Sequence, residues 1–216
     1  MQAIVSAALA ACLCVLPAAA QSAVIDFEDV AHNTVLEYSS VTSRGYLVTH
    51  GGIDDAFAVV YGNADEGATS LSGNGTHRLV AFNTSTITLS RPGGAVFDLL
   101  AFDGGESWIF PDHLWATQIR VVGQLSGGGS VSAIFDLDLH KDVLTGMQSF
   151  KLGQGFQDLL SVQFSGIGGT PEFSLDNLVV GPDTLPAPAP SALWLTGLGL
   201  AMLARRRRIS NAGDAR

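Results

Sequence analysis

The stretch Ile134-Phe135-Asp136-Leu137-Asp138-Leu139 alternates apolar and acidic side chains. A period of two suits a half-buried β-strand and cannot make one apolar helix face. It predicts Phe135, Leu137 and Leu139 toward a core and Asp136 and Asp138 toward solvent. Similar short runs recur on either side, separated by Gly, Asn, Asp and Ser: Val24–Phe27, Tyr46–Thr49, Ala56–Tyr61, Arg78–Phe82, Thr86–Leu89, Ala95–Ala101, Gln118–Leu125, Ser130–Leu139, Gln148–Lys151, Leu160–Phe164 and Phe173–Val180. About ten or eleven strands with no long helical period predict an all-β body over residues 24–181, a two-sheet sandwich of the jelly-roll type. Joints such as Gly127-Gly128-Gly129 supply its turns.

Charge is unevenly distributed along the 216 residues. Residues 24–183 hold 19 acids and six bases, a net charge of −13, whereas Arg205 to Arg208 crowd the tail. An acidic body repels phosphate backbones, so nucleic acid is excluded as a partner. It suits divalent cations or neutral glycans. Both cysteines, Cys12 and Cys14, lie in the N-terminal apolar run, so removing that run leaves no thiol for disulfide, nucleophile or metal.

The two ends read as addresses. Residues 1–20 form a signal peptide: small and apolar from Ala3, with Ala18 and Ala20 at the small-x-small positions before Gln21, where signal peptidase would cut after delivery by the Sec machinery. No Lys or Arg precedes the apolar run, and Leu9-Ala10-Ala11-Cys12 offers a competing lipobox reading. After the body, residues 182–190 are a proline-rich spacer that cannot continue a sheet. Residues 191–216 then carry an apolar helix over 192–204 and the arginine cluster. Thirteen helical residues reach roughly 20 Å, a marginal membrane span whose arginines stay cytoplasmic.

Pro186-Ala187-Pro188, the apolar Ser191–Ala204 and Arg205-Arg206-Arg207-Arg208 follow one another in the order of a PEP-CTERM sorting domain, which this tail resembles. The resemblance implies an exosortase-like processing enzyme as partner and an exopolysaccharide-producing Gram-negative setting. Ala187 departs from the usual glutamate, and an ordinary membrane anchor is the alternative. The opening Val24-Ile25-Asp26-Phe27-Glu28-Asp29 and the closing Phe173-Ser174-Leu175-Asp176-Asn177-Leu178 resemble those of galactose-binding-like, carbohydrate-binding jelly rolls. That resemblance implies a structural Ca2+ at Glu28 and Asp176 with Asp26 as a further oxygen donor. Two solvated strand-edge acids are the plainer reading, since Ca2+ needs about six to eight oxygens.

Asp103–Trp115 is the richest predicted loop. Trp108 and Trp115 beside carboxylates make a candidate glycan platform, with burial at the end of the sandwich as the alternative. Asp136, Asp138, His140 and Asp142 read as a solvated face, because alternate strand positions stand about 6.5–7 Å apart and cannot all grip one ion. The chain has no G-x-S-x-G, H-E-x-x-H or P-loop. The resulting expectation is a non-catalytic exported protein of the periplasm, outer envelope or extracellular matrix, held by its C-terminal helix and associated with exopolysaccharide. A glycan-binding module is the second reading, and a polysaccharide-active enzyme the third.

Overall fold

A computed structural model describes residues 22–37, 39–52, 56–62, 65, 72–107, 115–140, 142–169 and 171–181. The signal peptide with Ala18, Ala20 and Gln21, the spacer, the sorting tail with Pro186, Ala187, Pro188 and Arg205 to Arg208, and Trp108 lie outside the described residues. Among the described residues no helix is long and apolar enough to cross a membrane.

Among the described residues thirteen strands form two antiparallel sheets: β1 (Ala23–Ile25), β2 (Thr34–Leu36), β3 (Ser40–Ser43), β4 (Tyr46–Gly51), β5 (Phe57–Tyr61), β6 (Arg78–Phe82), β7 (Thr86–Ser90), β8 (Leu99–Glu106), β9 (Gln118–Leu125), β10 (Ser130–Asp136), β11 (Gln148–Lys151), β12 (Leu159–Ile167) and β13 (Phe173–Val180). One sheet runs β11-β8-β13-β6-β5-β2, with β1 also paired to β13; the other runs β10-β9-β12-β7-β4-β3. Neighbours in space are mostly distant in sequence, so the sheets are held by long-range pairing.

Alternation within each strand delivers one set of side chains to the space between the sheets. Ile119 and Val121, Val162 and Phe164, and Ile87 and Leu89 come from one side, and Phe102, Phe173, Leu175 and Leu79 from the other, all fully buried. Phe102 anchors this core, with its ring 5.3 Å from Phe135, 5.2 Å from Phe150 and 5.3 Å from Phe164. A buried aromatic of this kind removes the largest apolar area from water per residue.

The two outer faces differ. All five residues of β6 are buried, so the first sheet is covered on both sides. Across its outer face the register aligns Gly105, Ser174, Val80 and Val59, and beyond them pairs Asp103 with Asp176 and Arg78 with Tyr61. Segments 72–74 and 142–147 cross over it, tied by Ser72 N–H to Glu106 O, Gly73 N–H to Asp142 O and Met147 N–H to Gly73 O. Gly105 makes that crossing possible, because a Cβ there would stand 2.8 Å from the Cβ of Ser72 and 3.2 Å from the oxygen of Gly146. The outer face of the second sheet stays open.

Three expectations need correction. The strand through Ile134 ends at Asp136; Leu137 is buried, but Leu139 turns out at φ 62° and is 52% exposed. Its N–H is taken by a Glu106 carboxylate oxygen at 2.6 Å, which breaks the alternation two residues early. Asp103 and Glu106 belong to β8 and not to a loop. Residues 95–98 precede that strand as an irregular segment, with Phe97 making a single bridge to Leu159.

Candidate functional site

Two connections on one side of the sandwich, β1 to β2 and β5 to β6, enclose an open cleft of about 390 Å³ lined by Glu28, His32, Gly62, Asp65, Gly75, Thr76 and His77. Each histidine has an oxygen acceptor at Nδ1. His32 Nδ1 lies 2.6 Å from Asp65 Oδ1, and Asn33 Nδ2 donates to that same oxygen at 3.2 Å. His77 Nδ1 lies 3.4 Å from the carbonyl oxygen of Phe27 and 3.9 Å from Glu28 Oε2. The two rings are tilted by 53° with centroids 6.1 Å apart.

The carboxylates hold the cleft in shape. Asp65 Oδ2 accepts the N–H of Gly62 at 2.6 Å and Glu28 Oε1 accepts the N–H of His77 at 2.7 Å. Burial pushes the Asp65 carboxyl up, but the hydrogen bonds from Gly62 and His32 outweigh it and hold the group below its ordinary value. Among the described residues no lysine or arginine lines the cleft. Arg44 is turned to Asp26, donating from Nη2 to Oδ2 at 2.8 Å and from Nε to Oδ1 at 3.0 Å. That pairing lowers the Asp26 carboxyl.

The acids expected to share a Ca2+ are each engaged with the polypeptide. Asp26 is paired with Arg44, Glu28 holds the backbone of His77, and Asp176 is fully buried beneath the same short loop. Its Oδ2 accepts from Thr76 Oγ1 at 2.7 Å and from Asn74 Nδ2 at 2.8 Å, and its Oδ1 from the N–H of Asn177 at 2.7 Å. Glu28 and Asp176 therefore grip two sides of residues 74–77. Among the described residues no three His, Cys, Asp or Glu side chains stand together as a metal cage.

Asp176 owes its place to an irregularity in β13. Asn177 adopts φ 45° and the pairing with β8 slips between Asp176 and Val179, a β-bulge at which β13 exchanges β6 for β1 as its neighbour. Burial pushes the Asp176 carboxyl up to about 6. Arg78, which interacts with it electrostatically, is fully buried, with Gly73 against its guanidinium. Burial works against the Arg78 charge, while Asp176 and Asp65 support it.

Two more buried acids, Glu106 and Glu172, flank this network, and burial raises both. Glu106 is pinned by Leu139 N–H and lies 3.4 Å from Ser72 Oγ; Glu172 is held by Asn83 N–H at 3.3 Å and lies 3.4 Å from Ser107 Oγ. With Glu106 sealed off, Asp103 and Glu106 do not form an open acid pair. Trp115 is half-buried and its backbone bridges Glu172.

The open face of the second sheet is the other extended feature. Register aligns Thr42, Leu47, Ser90, Ser161, Gln124 and Ser130 in one cross-strand row and Ser40, Thr49, Thr88, Gln163, Val122 and Ser132 in the next. Ten of these twelve positions carry a hydroxyl or a carboxamide and none is charged. At about 4.8 Å per strand the rows extend roughly 24 Å. The charged positions Arg120 and Asp136 fall beyond them, toward one end of β9 and β10.

No family model matches the sequence, and no curated protein matches it. Among solved structures, the chain is similar to a mutant of the family 29 carbohydrate-binding module CBM29-2, at 13% identity and a TM-score of 0.43 over 75% of this chain and 91% of that one. It is similar to an F5/8 type C domain from Bacteroides fragilis at 9% identity and a TM-score of 0.43, over 67% and 97% of the two chains. An exo-β-agarase matches at 14% identity and a TM-score of 0.45, over 79% of this chain and 26% of the enzyme. Likeness at this level informs neither the site nor its ligand.

Proposed function

We propose that this chain is a non-catalytic, exported surface protein with a jelly-roll-type body, whose open sheet face holds neutral polysaccharide. The observation that carries this reading is the pair of uncharged rows on the second sheet, set on a body of net charge −13. Hydroxyls and carboxamides exchange water for sugar hydroxyls without the desolvation cost of a buried charge. The acids elsewhere repel uronate and sulfated polymers.

Affinity electrophoresis through gels cast with neutral glucan or galactan, against gels cast with polyuronate, tests it. Retardation is expected in the neutral gels, weakened at least tenfold by Thr88→Glu together with Gln163→Glu, adjacent in register across β7 and β12, and unchanged in Trp115→Ala. No retardation in any neutral gel overturns the reading. Loss in Trp115→Ala with the face variants unchanged moves the site to the tryptophan segment that also holds Trp108.

Export and tail processing are the second half of the proposal, supported by the apolar residues 1–20 and by the order of Pro186, the apolar run and Arg205 to Arg208. Intact mass of the protein recovered from its host should show a start at Gln21 and loss or transfer of the tail near Pro188. A cytoplasmic chain with both ends whole is the result that defeats this half.

A further inference from the structure

We propose that the cleft between the β1–β2 and β5–β6 connections is a coordination site for a late first-row divalent ion of tetragonal preference, Cu2+ or Ni2+, bound through Nε2 of His32 and Nε2 of His77. The tautomers follow from the neighbours. The groups facing the Nδ1 atoms are, at His32, Asp65 Oδ1 at 2.6 Å and more distantly Asn33 Nδ2 at 3.4 Å, whose hydrogen goes to that same Asp65 oxygen, and, at His77, the Phe27 carbonyl with Glu28 Oε2. A carboxylate or carbonyl oxygen can only accept, so each Nδ1 carries the proton and each neutral ring presents a lone pair at Nε2. An imidazole held by an acceptor at one nitrogen and open at the other is the arrangement that orients a metal ligand and raises its basicity.

The spacing permits one ion. With metal–nitrogen bonds of about 2.0–2.1 Å, the ion stands roughly 3.2 Å from each ring centroid, so two rings on one ion have centroids at most about 6.4 Å apart. The observed 6.1 Å falls inside that limit at a wide N–metal–N angle of about 145°, toward the trans arrangement of a tetragonal Cu2+ or Ni2+ and away from a tetrahedron. Gly62 leaves the space clear, since a Cβ there would stand 3.3 Å from His77 Nε2. The lining adds two carboxylates and no competing cation. Two nitrogens favour the imidazole-seeking end of the first-row series over Ca2+, which wants many oxygens. Among the described residues no third protein ligand joins them, so the ion takes water in positions that these residues leave open.

The test is independent of the polysaccharide reading, because no sugar enters it. The untagged full chain is titrated calorimetrically with Cu2+ and Ni2+, with Ca2+ as the oxygen-seeking control, and the Cu2+ form is recorded by electron paramagnetic resonance. Expected are one equivalent bound, nitrogen hyperfine structure, and at least tenfold weaker binding in His32→Ala, in His77→Ala and in Gly62→Ala, the last with both imidazoles present. His140→Ala, outside the cleft, should change nothing. His32 has a side chain 58% exposed, so its variant keeps the fold even where His77→Ala does not. Saturable binding that survives His32→Ala, absence of saturable binding, or equal binding of Ca2+ would each overturn the site.

Discussion

Replacing Arg78 with methionine, which preserves much of its volume and removes its charge, should destabilise the body by about 3–5 kcal/mol, the range for leaving a buried charge uncompensated. Arg78 is fully buried, and so is Asp176, whose charge supports it; Asp103 pairs with Asp176 across β8 and β13. Removing the guanidinium leaves those carboxylates facing each other without a counter-charge. The double variant Arg78→Met with Asp176→Asn removes both members, and it should recover part of the loss through a coupling of about 0.5–3 kcal/mol. Urea unfolding at pH 7, compared at constant slope, measures both. A cost in Arg78→Met below about 1 kcal/mol would mean that the charge is not needed under the crossing segments.

The second large effect is on pH. The Asp176 carboxyl titrates near 6 in the folded chain and near 3.8 when unfolded, first because it is buried and then because Asp103 is close. A folded-state value above the unfolded one means that the folded chain takes up this proton more readily. The stability it contributes is complete below pH 3.8 and is lost as pH rises through 6. A difference of this size corresponds to about 3 kcal/mol. Relative to Asp176→Asn, whose amide does not titrate, the natural chain should therefore gain stability as pH falls from 7 to 4. Comparison of the two chains cancels the other carboxylates, which titrate in both. Parallel stability curves over that range would show that Asp176 does not carry the shift.

Much of the sandwich was legible from local pattern. The bounds of β6, β9, β11 and β13 agree with the predicted runs 78–82, 118–125, 148–151 and 173–180. These strands alternate strongly or are continuously apolar and are bounded by turn residues. The short β2 and β3 were not legible. β3 and β4 are joined by Arg44 at φ 50° and Gly45 at φ 82°, a tight hairpin in which arginine takes the place usually held by asparagine or aspartate. Its left-handed backbone is supported from a distance, by Asp29 Oδ2 accepting the Arg44 N–H at 2.8 Å and by Asp26 on the guanidinium. The early end of β10 has the same kind of cause, a contact from Glu106 that no local pattern announces.

The candidate sites divide in the same way. Thr-Ile-Thr-Leu-Ser at residues 86–90 and Ser-Val-Gln-Phe-Ser at 161–165 each announce one hydroxyl-rich strand face, but only register lines them up into rows. His32, Asp65 and His77 carry no shared motif, and Asp65 lies 33 residues from the histidine it orients.

By itself, the sequence determined that the body is β-structured, which side chains of most strands share a face, and that the surface is acidic, since a period of two and a count of charges are local properties. Tertiary structure alone decided which acids are buried and which histidines meet. Those outcomes depend on contacts such as Asn74 to Asp176, 102 residues apart, and on a bulge that re-aims one strand. Burial and charge pairing are set through space, and no neighbour along the chain specifies them.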